Sequence, residues 1–507
     1  MLGRTRFLLL GQLALAGCTV GPNFVAPKPD TQAAFWPAKA VPAARRSVTV
    51  PDPVDPQWWT LFHDPELTTL ESRLASGNLD IATYLERLGE SRAQLGVARA
   101  DEMPTLNADG SYTRELPSAK GVISLLSGGA SGGTPQSFGS SGSLANGLSG
   151  TQGGIPSGVT LQPFNLWQYG FDASWELDLW GHARREVEAA RANVQAAQEA
   201  ARNALVSDEA ELARDYIQLR GVQRQIAITQ TDVQTFDATL RLTRARARAG
   251  LSGALDVSTA SAQLASAGAS LPQLQAQQVQ VLNAMCLLLG ERPGALDTEL
   301  TEAGAIPPVP PVVPVGLPSE LARRRPDIRA AEAQLHAATA DIGVAVADFY
   351  PKIQLSGSIG LQALQAKDLG NWGARQYGFG PTISLPIFEG GRLRATLELR
   401  KAEQREAAIA YRQAVLTALG DVSNALTSYD QEQTRRAQLQ VAVQANQRAV
   451  ALATQRYRQG ISSFIDVLDA QRQQLTAEQQ LADSTTTVST DLVALYKALG
   501  GGWDSGA

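Results

Sequence analysis

The chain has 507 residues and a formal net charge of −5, with 18% charged and 6% aromatic residues. This negative charge disfavours nucleic-acid binding, and the composition favours long helices over compact globular domains. The two cysteines, Cys18 and Cys286, lie far apart in different contexts and imply no disulfide framework. Cys286 lies in an apolar run, and we expect its thiol to be buried and inert.

The first residues have the parts of an export signal. Residues 1–17 place two arginines before a short apolar stretch, which is typical of a lipoprotein signal peptide and too short for a spanning helix. The run Leu15-Ala16-Gly17-Cys18 resembles a bacterial lipobox, in which cleavage exposes a cysteine that is then acylated. We therefore expect an N-acyl group and a diacylglycerol lipid on Cys18, and no other cofactor. Thr19, where an aspartate would indicate inner-membrane retention, favours the outer membrane.

Two helices are expected after an N-terminal strap. Residues 18–60 are rich in proline and cannot hold a regular helix, so we predict that they lie extended on the protein surface. The run Asp64-Pro65-Glu66-Leu67 opens a helix, because proline is favoured at the first helical position. A second helix is predicted from about Asp80 to Glu102, ahead of Pro104.

The chain contains an internal two-fold sequence repeat. The second helix recurs 247 positions later, from Asp327 to Tyr350, and again stops ahead of a proline. A constant shift over such a span argues against chance similarity. The first repeat therefore covers 61–300 and the second 319–503, with a stiff proline-rich linker at 301–318.

Behind each of these helices the apolar period changes from helical to two, which predicts β-strands. Each strand has one apolar and one polar face, and the strands form two hairpins. The four strands are expected at about 105–115, 164–180, 352–361 and 376–388.

The strand pattern is compatible with a half-buried soluble sheet, but two features favour a membrane. Trp167 to Leu179 would extend roughly 33 Å when tilted, which is enough to cross an outer membrane. The connection 116–163 is predicted to be a long external loop, because no charged residue occurs between Gly121 and Phe171. Four strands cannot close a barrel, so spanning requires several chains.

Very long helices are predicted after each hairpin, over 182–290 and 391–499. Apolar residues at alternating spacings of four and three mark coiled-coil seams in the second tract. They are Val415, Leu419, Val422, Leu426 and Tyr429, followed by Val488, Leu492, Leu495 and Leu499. Helices of this length cannot be buried within one chain and must pack laterally.

A glycine-containing turn interrupts each long tract. In the second repeat, Tyr457 precedes the turn Gly460-Ile461-Ser462, and Asp466 and Asp469 follow it on one helical face. In the first repeat, 210 positions earlier, the turn Gly250-Leu251-Ser252 is followed by Asp256. From the residues alone, ordinary helix caps and solvated acids near a turn would explain both sites.

Several motifs resemble those of one family. In chain order they are Gly21 to Pro27, Trp58-Trp59 with Phe62, Asp64-Pro65, Trp175 to Gly181, Arg324 to Arg329, Pro386 to Arg392 and Leu499 to Trp503. Together they resemble the bacterial outer membrane factors of the TolC type, in particular the lipoprotein branch serving resistance-nodulation-division (RND) efflux systems. Phe24, where the family usually has tyrosine, and a first hairpin loop longer than the second depart from the pattern.

The resemblance implies an α+β membrane protein that forms a trimeric channel. Three chains of four strands each would build a shared 12-stranded transmembrane β-barrel, and the long helices a periplasmic α-helical coiled-coil barrel. Asp466 and Asp469 would line a periplasmic gate, with Asp256 and Tyr457 tying the inner and outer coiled coils in the closed state. The turns Gly250, Leu251, Ser252 and Gly460, Ile461, Ser462 would dock a periplasmic adaptor protein.

The function that the resemblance implies is an exit duct of a tripartite efflux pump. A homotrimer, anchored in outer-membrane lipid with most of the chain in the periplasm, would passively export small molecules received from an inner-membrane RND transporter and an adaptor. No enzyme is expected, because the three histidines are isolated and no metal-ligand spacing or phosphate-binding loop occurs. Two alternatives stay open. The lipobox argues against a type I secretion exit duct, and the period-two strands argue against a structural coiled-coil envelope lipoprotein without a pore.

Overall fold

The computed structural model describes residues 19–27, 47–116, 163–316, 321 and 323–503. The predicted signal peptide, Cys18 and all but the ends of the predicted 116–163 loop lie outside these residues. Helices dominate the described chain, which also has a four-stranded and a two-stranded sheet. Within these ranges, no helix combines the length and the hydropathy needed to cross a membrane.

The described residues form seven longer helices, and six of these occur in pairs of equal length. In chain order they are α1 (Pro65–Gly77), α2 (Leu79–Ala100), α3 (His182–Arg248), α4 (Ala254–Leu288), α5 (Pro326–Ala347), α6 (Arg392–Arg458) and α7 (Phe464–Ala498). Helices α3 and α6 each have 67 residues, α4 and α7 each have 35, and α2 and α5 each have 22.

The start of α1 follows from its sequence. Asp64 is the N-cap, and its Oδ1 accepts hydrogen bonds from the backbone N–H groups of Glu66 and Leu67 at 3.0 and 3.1 Å. Pro65 occupies the first helical position, where its missing N–H is not needed. The predicted helix start at this run is therefore confirmed.

Helices α2 and α5 both end slightly earlier than the sequence predicted. The last helical residue of α2 is Ala100 rather than Glu102, and that of α5 is Ala347 rather than Tyr350. In α5 the chain leaves the helix through a turn, in which the Tyr350 N–H donates to the Ala347 carbonyl at 3.0 Å. The proline that follows each helix disfavours helical geometry in the residue before it, so the last turn cannot continue.

The strands form one antiparallel sheet and one short parallel pair. They are β1 (Val48–Val50), β2 (Thr105–Glu115), β3 (Phe164–Glu176), β4 (Val312–Pro314), β5 (Lys352–Ala363) and β6 (Arg375–Ser384). The large sheet has the order β2-β3-β5-β6, and every neighbouring pair in it is antiparallel. The two hairpins predicted from the sequence are therefore present and are joined to each other through β3 and β5.

The register of the large sheet separates apolar from polar residues. One row across the four strands is Ala108, Phe171, Ile359 and Tyr377. The adjacent row, whose side chains point to the opposite face, is Asn107, Asp172, Ser358 and Gly378. The alternation read from the sequence is thus confirmed by the pairing.

Two strands are shorter than predicted at their C-terminal ends. Strand β3 ends at Glu176 rather than near residue 180, and β6 ends at Ser384 rather than near 388. After β3 the chain turns, because the Leu179 N–H donates to the Leu177 carbonyl at 2.8 Å. After β6 the chain reaches Pro386, which cannot donate a ladder hydrogen bond. Strand β5, in contrast, extends to Ala363 instead of 361.

A hydrophobic core joins α1, α3, α4, α6 and α7. Trp58 is 1% exposed, stacks on Tyr496 with ring centroids 5.4 Å apart, and meets Phe62 edge to face. Cys286 is fully buried in the same core, as expected. The predicted coiled-coil seam residues, from Val415 to Tyr429 and from Val488 to Leu499, all pack in this core or against it.

The predicted surface strap and the proline-rich linker are more structured than expected. Strand β1, from the strap, pairs in parallel with β4, from the linker, in a register that places Val48 opposite Val312. Trp58, near the end of the strap, lies on a short 3-10 helix and is buried rather than on the surface. An extended proline-rich segment retains carbonyl groups that a neighbouring strand can use, and the Val48 N–H donates to the Pro311 carbonyl at 2.9 Å.

Candidate functional site

The two glycine-containing turns close their helices in the same way. Gly250 and Gly460 have φ values of 73° and 74°, in the left-handed region that a side chain disfavours. The next residues, Leu251 and Ile461, donate backbone hydrogen bonds of 2.9 Å to carbonyls five residues earlier. This is the Schellman arrangement of a helix C-terminus. A Cβ on either glycine would meet no atom within 4 Å, so the requirement for glycine is conformational and not steric.

Asp256 and Asp466 cap the helices that follow the turns. The Asp466 Oδ2 accepts a hydrogen bond from the Ser463 N–H at 3.1 Å, at the start of α7. At the start of α4, the Asp256 Oδ2 accepts from the Gly253 N–H at 3.3 Å and from the Ser252 hydroxyl at 2.6 Å. A carboxylate in the first turn satisfies a free N–H group and complements the positive end of the helix dipole.

Sequence reasoning missed this capping role of Asp466, although the signal was present. Ser463 and Asp466 have the Ser-x-x-Asp spacing of a capping box at the start of an apolar helix. Asp466 and Asp469 are both exposed in the single chain. In the part of the chain that the structure describes, Asp469 has no hydrogen bond or ion pair, so capping does not explain it.

Tyr457 links the ends of α3 and α6. Its side chain is 6% exposed, and its ring lies 5.7 Å from the ring of Phe464. The Arg246 guanidinium lies 4.5 Å from the centre of the Tyr457 ring, and its Nη1 donates to the Tyr457 carbonyl at 3.3 Å. Arg246 is the partner that sequence reasoning missed.

The structure does not join Asp256 to Tyr457. The hydrogen-bond partners of the Asp256 carboxylate are Ser252 and Gly253, within its own turn. The Tyr457 hydroxyl is buried and has no hydrogen-bond partner among the described residues. The two residues nevertheless border one small core, because Val257, next to Asp256, packs against the cluster that contains Tyr457.

This second core holds the ends of four helices together. Its buried members are Leu240, Ala260, Tyr457, Phe464, Val467 and Leu468, which come from α3, α4, α6 and α7. Asp466 and Asp469 alternate with these buried positions along α7 and are therefore on its other face. Because one face of α7 is buried in this second core, the carboxylates of Asp466 and Asp469 on the opposite face point away from it.

The turns expose matching apolar side chains. Leu251 and Ile461 are 67% and 63% exposed, and Leu255 and Ile465, the second residues of the next helices, are 74% and 58% exposed. Leu255 and Ile465 were not among the residues predicted for this surface. The polar residues of the turns differ, because the Ser252 hydroxyl donates to Asp256, whereas the Ser462 hydroxyl is buried and has no hydrogen-bond partner among the residues that the structure describes.

Comparisons with known proteins agree on one family. A family model described as "OEP: Outer membrane efflux protein" matches residues 70–291 and 317–501. The chain is 32% identical to outer membrane protein OprJ of Pseudomonas aeruginosa, over 98% of this chain and 96% of that protein. It is also 32% identical to the toluene efflux pump outer membrane protein TtgC of Pseudomonas putida, over 96% of this chain and 93% of that one.

A solved structure shows the same fold. The outer-membrane channel OprN is 35% identical and superposes with a TM-score of 0.81, covering 96% of this chain and 100% of that chain. The family match spans both helical tracts and all four strands of the large sheet, so it concerns the whole architecture and not one motif. The chain belongs to the outer membrane efflux protein family.

Proposed function

We propose that this protein is the exit duct of a tripartite efflux pump, in which three copies share one 12-stranded transmembrane β-barrel. Membership of the outer membrane efflux proteins makes the outer membrane its location and efflux its activity. The observation that carries the proposal is the four-stranded sheet of a single chain. Among the described residues, the outer edges of β2 and β6 have no partner strand.

The sheet has a surface that one chain cannot cover. Its apolar face leaves Phe379 85%, Tyr377 70% and Ile359 62% exposed. Unpaired strand edges are not stable in lipid, where no water satisfies their N–H and C=O groups. Three copies joined edge to edge would pair every strand, turn the apolar face to lipid and enclose the polar face around a pore.

The long helices support the same assembly. Helix α6 exposes Leu399, Ile409, Leu416, Val441 and Leu452, each more than half exposed in the single chain. Such positions need lateral partners, which neighbouring copies would supply in a coiled-coil barrel. The equal lengths of α3 and α6, and of α4 and α7, support an internal duplication that gives each copy two helical hairpins.

The two turns form the periplasmic end of the proposed duct. Three copies each of Asp466 and Asp469 around the symmetry axis would form negative rings that impede anions and bind cations. Tyr457, with Arg246 against its ring, and Asp256 at the neighbouring helix start would hold the hairpins in the closed state. The exposed Leu251 and Ile461, beside Gly250, Ser252, Gly460 and Ser462, would receive the periplasmic adaptor, which links the duct to an inner-membrane RND transporter.

The proposal predicts that the purified protein forms channels as a trimer. In a planar bilayer we expect discrete, small and cation-selective openings, because negative rings would narrow and charge the closed end. Chemical cross-linking in detergent should stop at the mass of three chains. Folded protein that gives no openings would contradict the duct and favour a structural lipoprotein without a pore.

We also propose that Cys18 carries the lipid anchor, with acyl chains inserted into the outer membrane. Cys18→Ser is expected to abolish the incorporation of labelled palmitate, because the acylated thiol is lost. The matched control is Cys286→Ser, which removes a buried thiol and should leave labelling unchanged. Continued labelling of the Cys18→Ser protein would overturn the assignment.

A further inference from the structure

Two glutamates are buried in the core where α1 and α3 pack together, one on each helix. Glu71 of α1 is 2% exposed and Glu209 of α3 is 4% exposed. Both carboxylate oxygens of Glu71, and Oε2 of Glu209, are buried and have no hydrogen-bond partner among the described residues. Burying a charged carboxylate without a partner is strongly unfavourable, and such a group normally takes up a proton instead.

At the N-terminal end of α1, the polar side chains that contact α3 have hydrogen-bond partners. The Tyr216 hydroxyl donates to Asp64 at 2.8 Å, and Arg220 donates to Glu66 at 2.7 Å. Farther along α1, Glu71 lies near enough to Glu209 of α3 for the charge of Glu209 to act on it. In the described structure, neither Glu71 nor Glu209 forms an ion pair.

Glu199, earlier on α3, is a buried acid that has cationic partners. It is 1% exposed and lies 2.9 Å from Arg202 and 2.7 Å from Arg329. The two arginines lower the pKa of Glu199, although its burial outweighs them and raises the pKa on balance, whereas Glu209 has no such partner in the described residues. The difference indicates that Glu209 is held in its neutral form.

The C-terminal turn, residues 499–503, closes over Glu209. Gly502 has a φ of 109°, and a Cβ at this position would overlap the Glu209 Oε2. The neighbouring Trp503 is 7% exposed, with Arg202 4.6 Å and Arg329 5.1 Å from its ring centre. Glu209 therefore lies between α1 and the C-terminal turn, and its ionisation would act on both.

We propose that Glu71 and Glu209 form a proton-dependent lock, which fastens α1 and the C-terminal turn to α3 when both carboxyls are protonated. The ligand of this site is the proton. Loss of the protons places two negative charges in an apolar contact, and the cheapest relief is for α1 and the turn to loosen from α3. This lock does not depend on the proposed channel and would operate in a single chain.

The neighbouring charges strengthen the effect. Burial, and then the charge of Asp208, raises the pKa of Glu209 to about 9. Burial, and then the charge of Glu209, raises the pKa of Glu71 well above its ordinary value. Burial, and then the charges of Asp80 of α2 and Glu211 of α3, raise the pKa of Asp208 itself, whereas Lys497 of α7 and a hydrogen bond with Asn78 lower it.

The sign of the pH dependence follows from these pKa values. Below the ordinary pKa of 4.5 the carboxyl groups are protonated in the closed and in the open state, so the lock contributes fully. As the pH rises from there to about 9, only the open state gives up its protons, and the closed state loses stability steadily. Acid closes the lock and alkali opens it.

Hydrogen exchange tests the lock in the full-length protein in detergent. We compare protection factors, corrected for the intrinsic exchange rate, at pH 6 and pH 8. In the wild type, protection of α1 and of the C-terminal turn should fall on the order of 100-fold for each group that ionises on opening. In Glu71→Gln with Glu209→Gln, which keeps the shape without the charge, the fall should be less than about threefold.

Two controls separate the lock from a general loosening. Peptides from α4 should show no such fall in the wild type. Asp237→Asn, which removes an exposed acid farther along the same helix as Glu209, should retain the wild-type pH dependence of α1. An equal fall in α4, or a double variant that still loses protection with pH, would overturn the proposal.

An infrared measurement needs no doubly substituted protein. At pH 7 the wild type should show the carbonyl stretch of a buried protonated carboxyl, and this band should vanish on raising the pH above about 9. Glu209→Gln alone should weaken it. Absence of a protonated carboxyl band from the wild type at pH 7 would refute the lock, whatever the hydrogen exchange shows.

Discussion

Asp466→Asn combined with Asp469→Asn is expected to raise single-channel conductance several-fold and to weaken cation selectivity. In a trimer, these residues would contribute six carboxylates close to the symmetry axis, where they repel anions and bind cations that bridge and narrow the opening. Neutral amides remove both effects. The measurement is conductance and reversal potential in a planar bilayer under a salt gradient.

Asparagine suits this test better than alanine because Asp466 caps the start of α7. The Asp466 Oδ2 accepts from the Ser463 N–H at 3.1 Å, and an amide oxygen can accept this bond without carrying charge. Alanine cannot, and the loss of such a cap typically costs about 1 kcal/mol of helix stability. A larger conductance with Asp466→Ala alone would therefore not distinguish an open gate from a frayed helix.

Asp483→Asn is the matched control for charge removal on the same helix. Asp483 is an exposed acid of α7, distant in sequence from the turn. This variant should conduct like the wild type. If the Asp466 and Asp469 double variant also keeps wild-type conductance and selectivity, these aspartates do not form the gate.

Trp58→Ala should cause the largest loss of stability among single substitutions in the core. The Trp58 side chain is 1% exposed, stacks on Tyr496 and meets Phe62 and Trp59 edge to face at 6.4 and 5.8 Å. Truncation removes its contacts and leaves a cavity, at a cost of about 3–5 kcal/mol. The check is thermal unfolding in detergent, followed by near-ultraviolet circular dichroism.

The chain offers a matched tryptophan for comparison. Trp372, between β5 and β6, is 78% exposed, and Trp372→Ala should change stability by less than about 0.5 kcal/mol. Equal melting temperatures for the two alanine variants would show that Trp58 does not support the core.

The elements that sequence reasoning predicted well are those whose signals are local. The proline after α2, Pro65 at the start of α1 and the glycine at each turn all act within a few residues, and the structure has a helix boundary at each. The strand faces were predictable for the same reason, since period-two alternation is independent of the neighbouring strand. Strand ends were less accurate, because the chain leaves β3 through a turn that forms only in the folded protein.

The features that sequence reasoning missed depend on distant parts of the chain. Strands β1 and β4 lie in segments that were predicted to be a strap and a linker. They become strands only because they pair with each other in the folded chain. In the sequence, Glu71 has the position of an ordinary polar residue of an amphipathic helix. In the folded protein it is buried, because α3 covers it. Likewise, the partner of Tyr457 is Arg246, on a helix that ends about two hundred residues earlier.

The equal lengths of the paired helices limit how the helix lengths of such a chain can change. Each helical residue adds about 1.5 Å, so α3 and α6 are each about 100 Å long. Deleting seven residues from α3 and α4 would retract the first turn by about 10 Å while the second stayed in place. The adaptor that we propose contacts both turns would tolerate no such mismatch. Length changes that keep this contact would therefore have to occur as four matched deletions or insertions, and engineered duct lengths would follow the same arithmetic.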